Sequence, residues 1–289
     1  FIKDMTLIFI IITLVIDLVS VDLDRFRKFE WFISLNHLLG ERLGNNKFWD
    51  GNLALLGLLS IPLLILTFIL FLLSHWSSFA ESILIVSVLI YCISPKRLIS
   101  QFDKYIISLE KDEADTQILA QQLINNEIKN DTDNTEIAIM KSIFVESHKQ
   151  IVAAVFWFFI LGVVGALLYR LVDKLHDELK GTTNGLSEST TILLNILDWP
   201  SSRLFAIGLA LAGNLADAIT SLRKPEVLSI EANYSLLVSI GMAALQYSPD
   251  SDVSSGEKSY WLNQFKFLVI RTIAILLVIA GIIILSDIS

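Results

Sequence analysis

The run GNLALLGLLSIPLLILTFILFLLSH, residues 51–75, contains no Asp, Glu, Lys or Arg. About 20 consecutive apolar residues in a helix cross the hydrocarbon core of a bilayer, so this run is long enough to span one. Lipid offers no water to satisfy peptide groups, and a segment that spans it alone must bond its own backbone as a helix. Further apolar runs are Met5–Val21, interrupted by Asp17; Ser82–Pro95; Gln150–Tyr169; Leu204–Ala216; and Phe267–Leu285, with Arg271 near its start. The runs at 82–95 and 204–216 are short for a span and read as re-entrant or interfacial, or as crossing a thinned bilayer. The expected fold is an all-α polytopic membrane protein, one integral membrane domain over residues 1–289 with four to six membrane-embedded helices.

Composition agrees. Of 289 residues, 54% are hydrophobic and 18% charged, where a soluble domain carries about 25% charged. The net charge of −8 gives nucleic-acid binding no electrostatic support. A single Cys92 excludes an intramolecular disulfide and a cysteine-rich metal site.

Two polar segments separate the runs. Residues 96–149 form an expected cytoplasmic helical and loop insertion: Phe102, Tyr105, Ile106 and Leu109 recur at helical spacing, and 125–136 has the polarity of a loop. Residues 217–264 form a polar segment before the last membrane helix. The basic residues of 22–50 and 96–149 place both stretches on the cytoplasmic side by the positive-inside rule, which puts 170–198 outside if the run at 150–169 crosses fully. Trp76, Trp199 and Trp261 sit at run edges as interface anchors. Gly162, Gly165, Gly208 and Ala212 suit close helix packing.

Several polar residues stand beside or inside the apolar runs. Asp17 is a carboxylate within a span, where ionisable groups face protein or water; its bland alternative is a place near the interface. Glu146, His148 and Lys149 precede the run at 150–169 and read as a capped, amphipathic helix start or as one face of a site. Arg170, Asp173 and His176 are spaced by three and share a helix face, expected to be solvated and laced with local ion pairs. Asp198 reads as the cap of a helix starting at Trp199–Pro200, and Arg203 either snorkels or reaches a phosphate or carboxylate. No phosphate loop, zinc-protease helix, nucleophile elbow or dinucleotide fingerprint occurs, and His37, His75, His148 and His176 are too scattered to suggest a metal or haem site.

The stretches ESHKQIVAAVFWFFILGVVGALLYRL (146–171) and LLNILDWPSSRLFAIGLALAG (193–213) resemble the AmpE family, inner-membrane proteins linked to the regulation of β-lactamase induction. This family lies in a wider group with the cobalamin-biosynthesis membrane protein CobD/CbiB, the adenosylcobinamide-phosphate synthase. MTLIFIIITLVID (5–17) is similar to the AmpE opening, with Asp17 in the place of an acidic residue. Against the synthase branch, NDTDN keeps Asp131 but has Asn130 in an arginine slot, and Lys149 stands where an aspartate is expected. Asp173 and His176 take the places of an Asn-x-x-Asp, and Arg203 matches the arginine of a Pro-Ala-Arg-Leu motif.

The resemblance implies a multi-pass protein of the bacterial inner membrane. Its first implication is a non-enzymatic regulator in β-lactamase induction or cell-wall stress signalling, with other inner-membrane or cell-wall recycling proteins as partners alongside the lipid bilayer. Its alternative is a ligase-like membrane enzyme of the cobinamide-phosphate-synthase type, using ATP and Mg; a transporter ranks last. The expected ligand-binding residues are Asp17, Asp131, Glu146, Lys149, Arg170, Asp173, Asp198 and Arg203, with no metal ligands. Gathering them in one pocket requires the run at 150–169 to be re-entrant or broken near Gly162–Gly165.

Overall fold

A computed structural model of the chain describes residues 2–20, 23, 27–43, 51–111, 115–124, 135–222, 229–247 and 255–288. In chain order its helices are α1 (Ile2–Val19), α2 (Glu30–Leu43), α3 (Asn52–Trp76), α4 (Ser78–Cys92), α5 (Pro95–Glu110), α6 (Thr116–Leu123) and α7 (Thr135–Ser147). A π-helical turn at His148–Val152 leads into α8 (Ala153–Glu178), followed by α9 (Gly185–Ala212), α10 (Leu215–Leu222), α11 (Asn233–Ala244) and α12 (Ser255–Ile288). Among the described residues there is no strand. Four helical stretches are long and apolar enough to cross a membrane: Asn52–Trp76, Ser78–Glu110, Ile137–Glu178 and Gly256–Ile284. Met5–Val19 is a shorter apolar helix. The chain is thus an all-α polytopic membrane protein.

The short run at 82–95 lies inside the second of these stretches, because α4 begins earlier than the run and α5 extends it. Most of the run at 204–216 is the end of α9, which stops at Ala212; its last two residues open α10, and α9 is not among the four.

Packing divides the chain into two units, Phe1–Ser94 with Ala153–Asp198 and Pro95–Val152 with Trp199–Ser289. In unit 1, α4 packs on α1, α3 and α8, while α2 packs on α3 and α8. Helix α3 buries Ala54, Leu55, Leu58, Leu59, Pro62 and Leu66, a stripe at helical spacing. Its other side exposes Leu56, Leu64, Phe68 and Phe71, a large apolar face suited to lipid. Ser77 ends α3 and starts α4: its extended backbone donates to Leu73 O, and its hydroxyl accepts from Ala80 N at 3.4 Å. Helix α1 turns Phe9, Ile10, Thr13 and Asp17 inward, so the carboxylate lies on the buried stripe.

Helix α8 is broken at Gly162, whose φ of 67° and ψ of −160° interrupt helical geometry. Only glycine takes that region without steric cost. The break falls within the Gly162–Gly165 segment.

In unit 2, α5 buries Leu98, Phe102, Tyr105 and Ile106 and packs on α6, α7 and α12. The first half of α12 buries Leu262, Phe265, Leu268 and Val269, and Lys266 Nζ bonds Asp103 Oδ1 at 2.6 Å. Helix α11 packs on α7 and α10. Gly241 lies so close to the Phe144 ring that an added Cβ would collide with it.

Two sequence expectations are corrected here. Residues 145–150 do not start a helix. They continue from α7 through the π turn into α8, so Glu146 and Ser147 cap nothing, and the Ser147 hydroxyl bonds back to Ile143 O at 2.5 Å. Asp198 is likewise no cap, because Pro200 lies inside α9 and the helix begins at Gly185. Proline is tolerated within helices of membrane proteins where neighbouring groups re-satisfy the backbone.

Candidate functional site

Unit 1 carries four of the expected residues, all buried. Asp17, 1% exposed, forms an ion pair with the Arg27 guanidinium. Arg27 also donates from Nε to Ile90 O at 2.9 Å, at the end of α4. Beside it, Trp31 Nε1 donates to the Tyr91 hydroxyl at 2.8 Å, and that hydroxyl donates to Lys28 O at 2.9 Å. These bonds fix the segment after α1 against α4 and bring a cation to Asp17. Asp17 is a buried charge with a cationic partner.

On α8, Arg170 Nη1 bonds Asp173 Oδ2 at 3.1 Å, and Lys174 Nζ approaches the same oxygen at 3.7 Å. The i,i+3 spacing forms the pair as expected, but Arg170 and Asp173 are buried rather than solvated. Only the next part of the helix is partly exposed, where Asp177 bonds Lys174 at 3.0 Å and Lys180 at 2.8 Å. Tyr169, wholly buried, donates its hydroxyl to Asp198 Oδ1 at 2.8 Å. Trp157 Nε1 reaches Leu197 O at 3.1 Å, a second link between α8 and α9. Asp198 is therefore a buried acceptor bonded across from α8 to α9.

Unit 2 carries Glu146, Lys149 and Arg203. Glu146 accepts from Gln150 Nε2 at 2.8 Å across one turn. The π turn faces consecutive residues inward, so His148 and Lys149 are both buried. Such π-helical turns recur at functional sites. His148 Nε2 lies 2.9 Å from Ser201 Oγ, and its ring is flanked by Phe205 and Tyr234. Lys149 Nζ lies 4.8 Å from the centre of the Tyr234 ring, within cation–π range.

Arg203 is held by several contacts. Its Nη1 bonds Asn233 Oδ1, Ser202 Oγ at 2.9 Å and Trp199 O at 3.2 Å, and its Nη2 bonds Ser229 O at 2.8 Å. The guanidinium lies 4.9 Å from the centre of the Trp199 ring. Partial burial lowers its pKa below the ordinary arginine value, yet a guanidinium stays charged throughout the physiological range.

Of the eight expected residues, Arg170 and Asp173 are in direct contact. Asp131 lies outside the described residues. Among the described residues no three His, Cys, Asp or Glu side chains are placed to hold a metal ion. The sequence reading missed Arg27, Ser201, Ser202, Asn233 and Tyr234 as site partners. Asn233 and Tyr234 carry the weakest signal, two polar side chains together at the start of an apolar helix.

No curated protein and no solved structure matches the chain. A family model described as CobD/CbiB protein matches residues 10–246. That range takes in Asp17, the π turn, the α8–α9 pair and the whole Arg203 cluster. With most of its length matched, this multi-pass membrane protein belongs to the CobD/CbiB family.

Proposed function

We propose that the chain is a ligand-binding membrane protein of the cobalamin-biosynthesis group, and that its ligand carries a phosphate or carboxylate held by Arg203. The supporting observation is the way Arg203 is set: stacked on Trp199 and bonded to Asn233, Ser202 and two carbonyl oxygens. These contacts orient the guanidinium, and an oriented guanidinium is matched to phosphate and carboxylate oxygens. Family membership favours the synthase-type reading, a ligase-like relative that uses ATP and Mg. Arg203 and Lys149 fit the phosphate chain of such a nucleotide. Its Mg ion takes one or two carboxylates together with the phosphates, and Glu146 is the candidate in this stretch of the described residues. Bound there, the nucleotide would supply activation of a carboxylate.

The AmpE-type regulator is the second reading. It rests on the stretches at 146–171 and 193–213 and on Lys149, a buried cation where the synthase pattern has an acid. Thermal melts of the purified chain separate the two. Stabilisation by ATP–Mg or a cobyric acid analogue, lost in Arg203→Ala and Asp131→Ala, supports the synthase type. Absence of nucleotide binding, together with altered β-lactamase induction when the gene is deleted, supports the regulator.

A further inference from the structure

Helix α12 is the least covered of the four stretches able to cross a membrane. Of its apolar window 17% is buried in the protein, against 28%, 33% and 50% in the other three. Within the run 267–285 it carries one charged residue, Arg271. Arg271 is exposed, and among the described residues it makes no hydrogen bond and no ion pair. The exposed face around it is apolar: Phe267 lies one turn before it, and Ala274, Val278 and Ile282 follow at steps of three and four. Lys266, the neighbouring cation on this helix, is by contrast bonded to Asp103.

Arg271 stands four residues into the run, roughly 6 Å of helix from its polar end. Helical side chains lean toward the helix N-terminus, which here is that polar end, with Asn263, Gln264 and Lys266. The aliphatic stem of Arg271 can therefore lie on the apolar face while the guanidinium reaches the headgroup level. A guanidinium there meets phosphate oxygens through two parallel bonds. We infer that Arg271 docks the phosphate of an anionic phospholipid, whose acyl chains lie along Ala274, Val278 and Ile282. A zwitterionic lipid brings its own ammonium to its phosphate; an anionic one leaves Arg271 as the cation that balances it. The inference is independent of the ligand assigned to Arg203.

Native mass spectrometry of the full chain, delipidated in detergent and titrated with phosphatidylglycerol or phosphatidylcholine, provides the test. The wild type takes its first phosphatidylglycerol more tightly than its first phosphatidylcholine. Arg271→Gln weakens the phosphatidylglycerol adduct about fivefold, as expected for one basic side chain at an anionic headgroup, and leaves the phosphatidylcholine adduct unchanged. Arg271→Lys keeps most of the preference, and Arg203→Ala keeps all of it. Inorganic phosphate at the same concentration does not displace the lipid. Equal phosphatidylglycerol affinity in wild type and Arg271→Gln overturns the proposal, as does an equal loss for both lipids. Displacement by inorganic phosphate also overturns it, since the site then takes the free anion. A wild-type dimer that Arg271→Gln dissociates does the same, because a second copy then covers this face.

Discussion

In unit 1 the buried arginines face carboxylates: Arg27 holds Asp17, and Arg170 holds Asp173. In unit 2 Arg203 bonds an amide, a hydroxyl and two carbonyls, and Lys149 lies over the Tyr234 ring. The difference teaches how one chain keeps ionised groups within an apolar fold for two purposes. An acid–base pair balances itself, and its bonds tie helices together. Arg203 is held in one orientation by a ring, an amide, a hydroxyl and carbonyls, a geometry that suits an anion's oxygens.

The comparison is broken most readily at Asp17. Arg27→Ala leaves a buried carboxylate without its ion-pair partner, and loss of one member of a buried pair costs about 3–5 kcal/mol. The double variant Asp17→Asn, Arg27→Met is expected to recover much of that loss, which equilibrium unfolding in mixed micelles reads directly. In unit 2, Gly241→Ala drives a methyl into the Phe144 ring and is expected to cost about 1–3 kcal/mol as an overpacked contact, seen as a lowered melting temperature. His148→Phe removes the bond to Ser201 while keeping the ring against Phe205 and Tyr234. It is expected to cost about 0.5–1.5 kcal/mol through the lost hydrogen bond, read as a lowered melting temperature. The smallest effect is expected at Lys266, whose partner Asp103 is well exposed: Lys266→Ala changes stability by less than about 1 kcal/mol. A large loss there, or a silent Arg27→Ala, would undo the distinction between buried pairs and oriented cations.

Much of this was legible in residue order. The apolar run at 51–75 specifies a spanning helix because length and charge-free composition are local properties. Asp17 and Arg203 stood out because polar groups in or beside such runs are costly. Arg170 and Asp173 were legible as a pair through their spacing, though not as a buried one, since nothing in YRLVDKLHDELK says which neighbours cover it. The cap assigned to Asp198 failed for a definite reason. An Asp followed by Trp-Pro carries the local marks of a helix start, but its carboxylate is claimed by Tyr169 from another helix, and α9 runs straight through Pro200. The π turn at 148–152 was invisible for a similar reason. One extra residue in a turn changes which side chains face inward, and here that turns His148 and Lys149 inward together. Bonds such as His148 to Ser201 and Arg203 to Asn233 join residues far apart in the chain, which no local pattern encodes.

The account turns on Arg203 as the residue that holds an anion. Isothermal titration of the purified full chain with ATP–Mg at fixed ionic strength, in wild type and Arg203→Gln, tests it most directly. The Gln variant keeps a polar side chain at this position but lacks the charge and the reach of the guanidinium. The expected result is saturable binding by the wild type that weakens at least about tenfold in the variant, the equivalent of one charge-assisted bond, with the melting temperature of the unliganded protein little changed. Equal affinities in the two proteins, or no binding of ATP–Mg or pyrophosphate by the wild type, would contradict it.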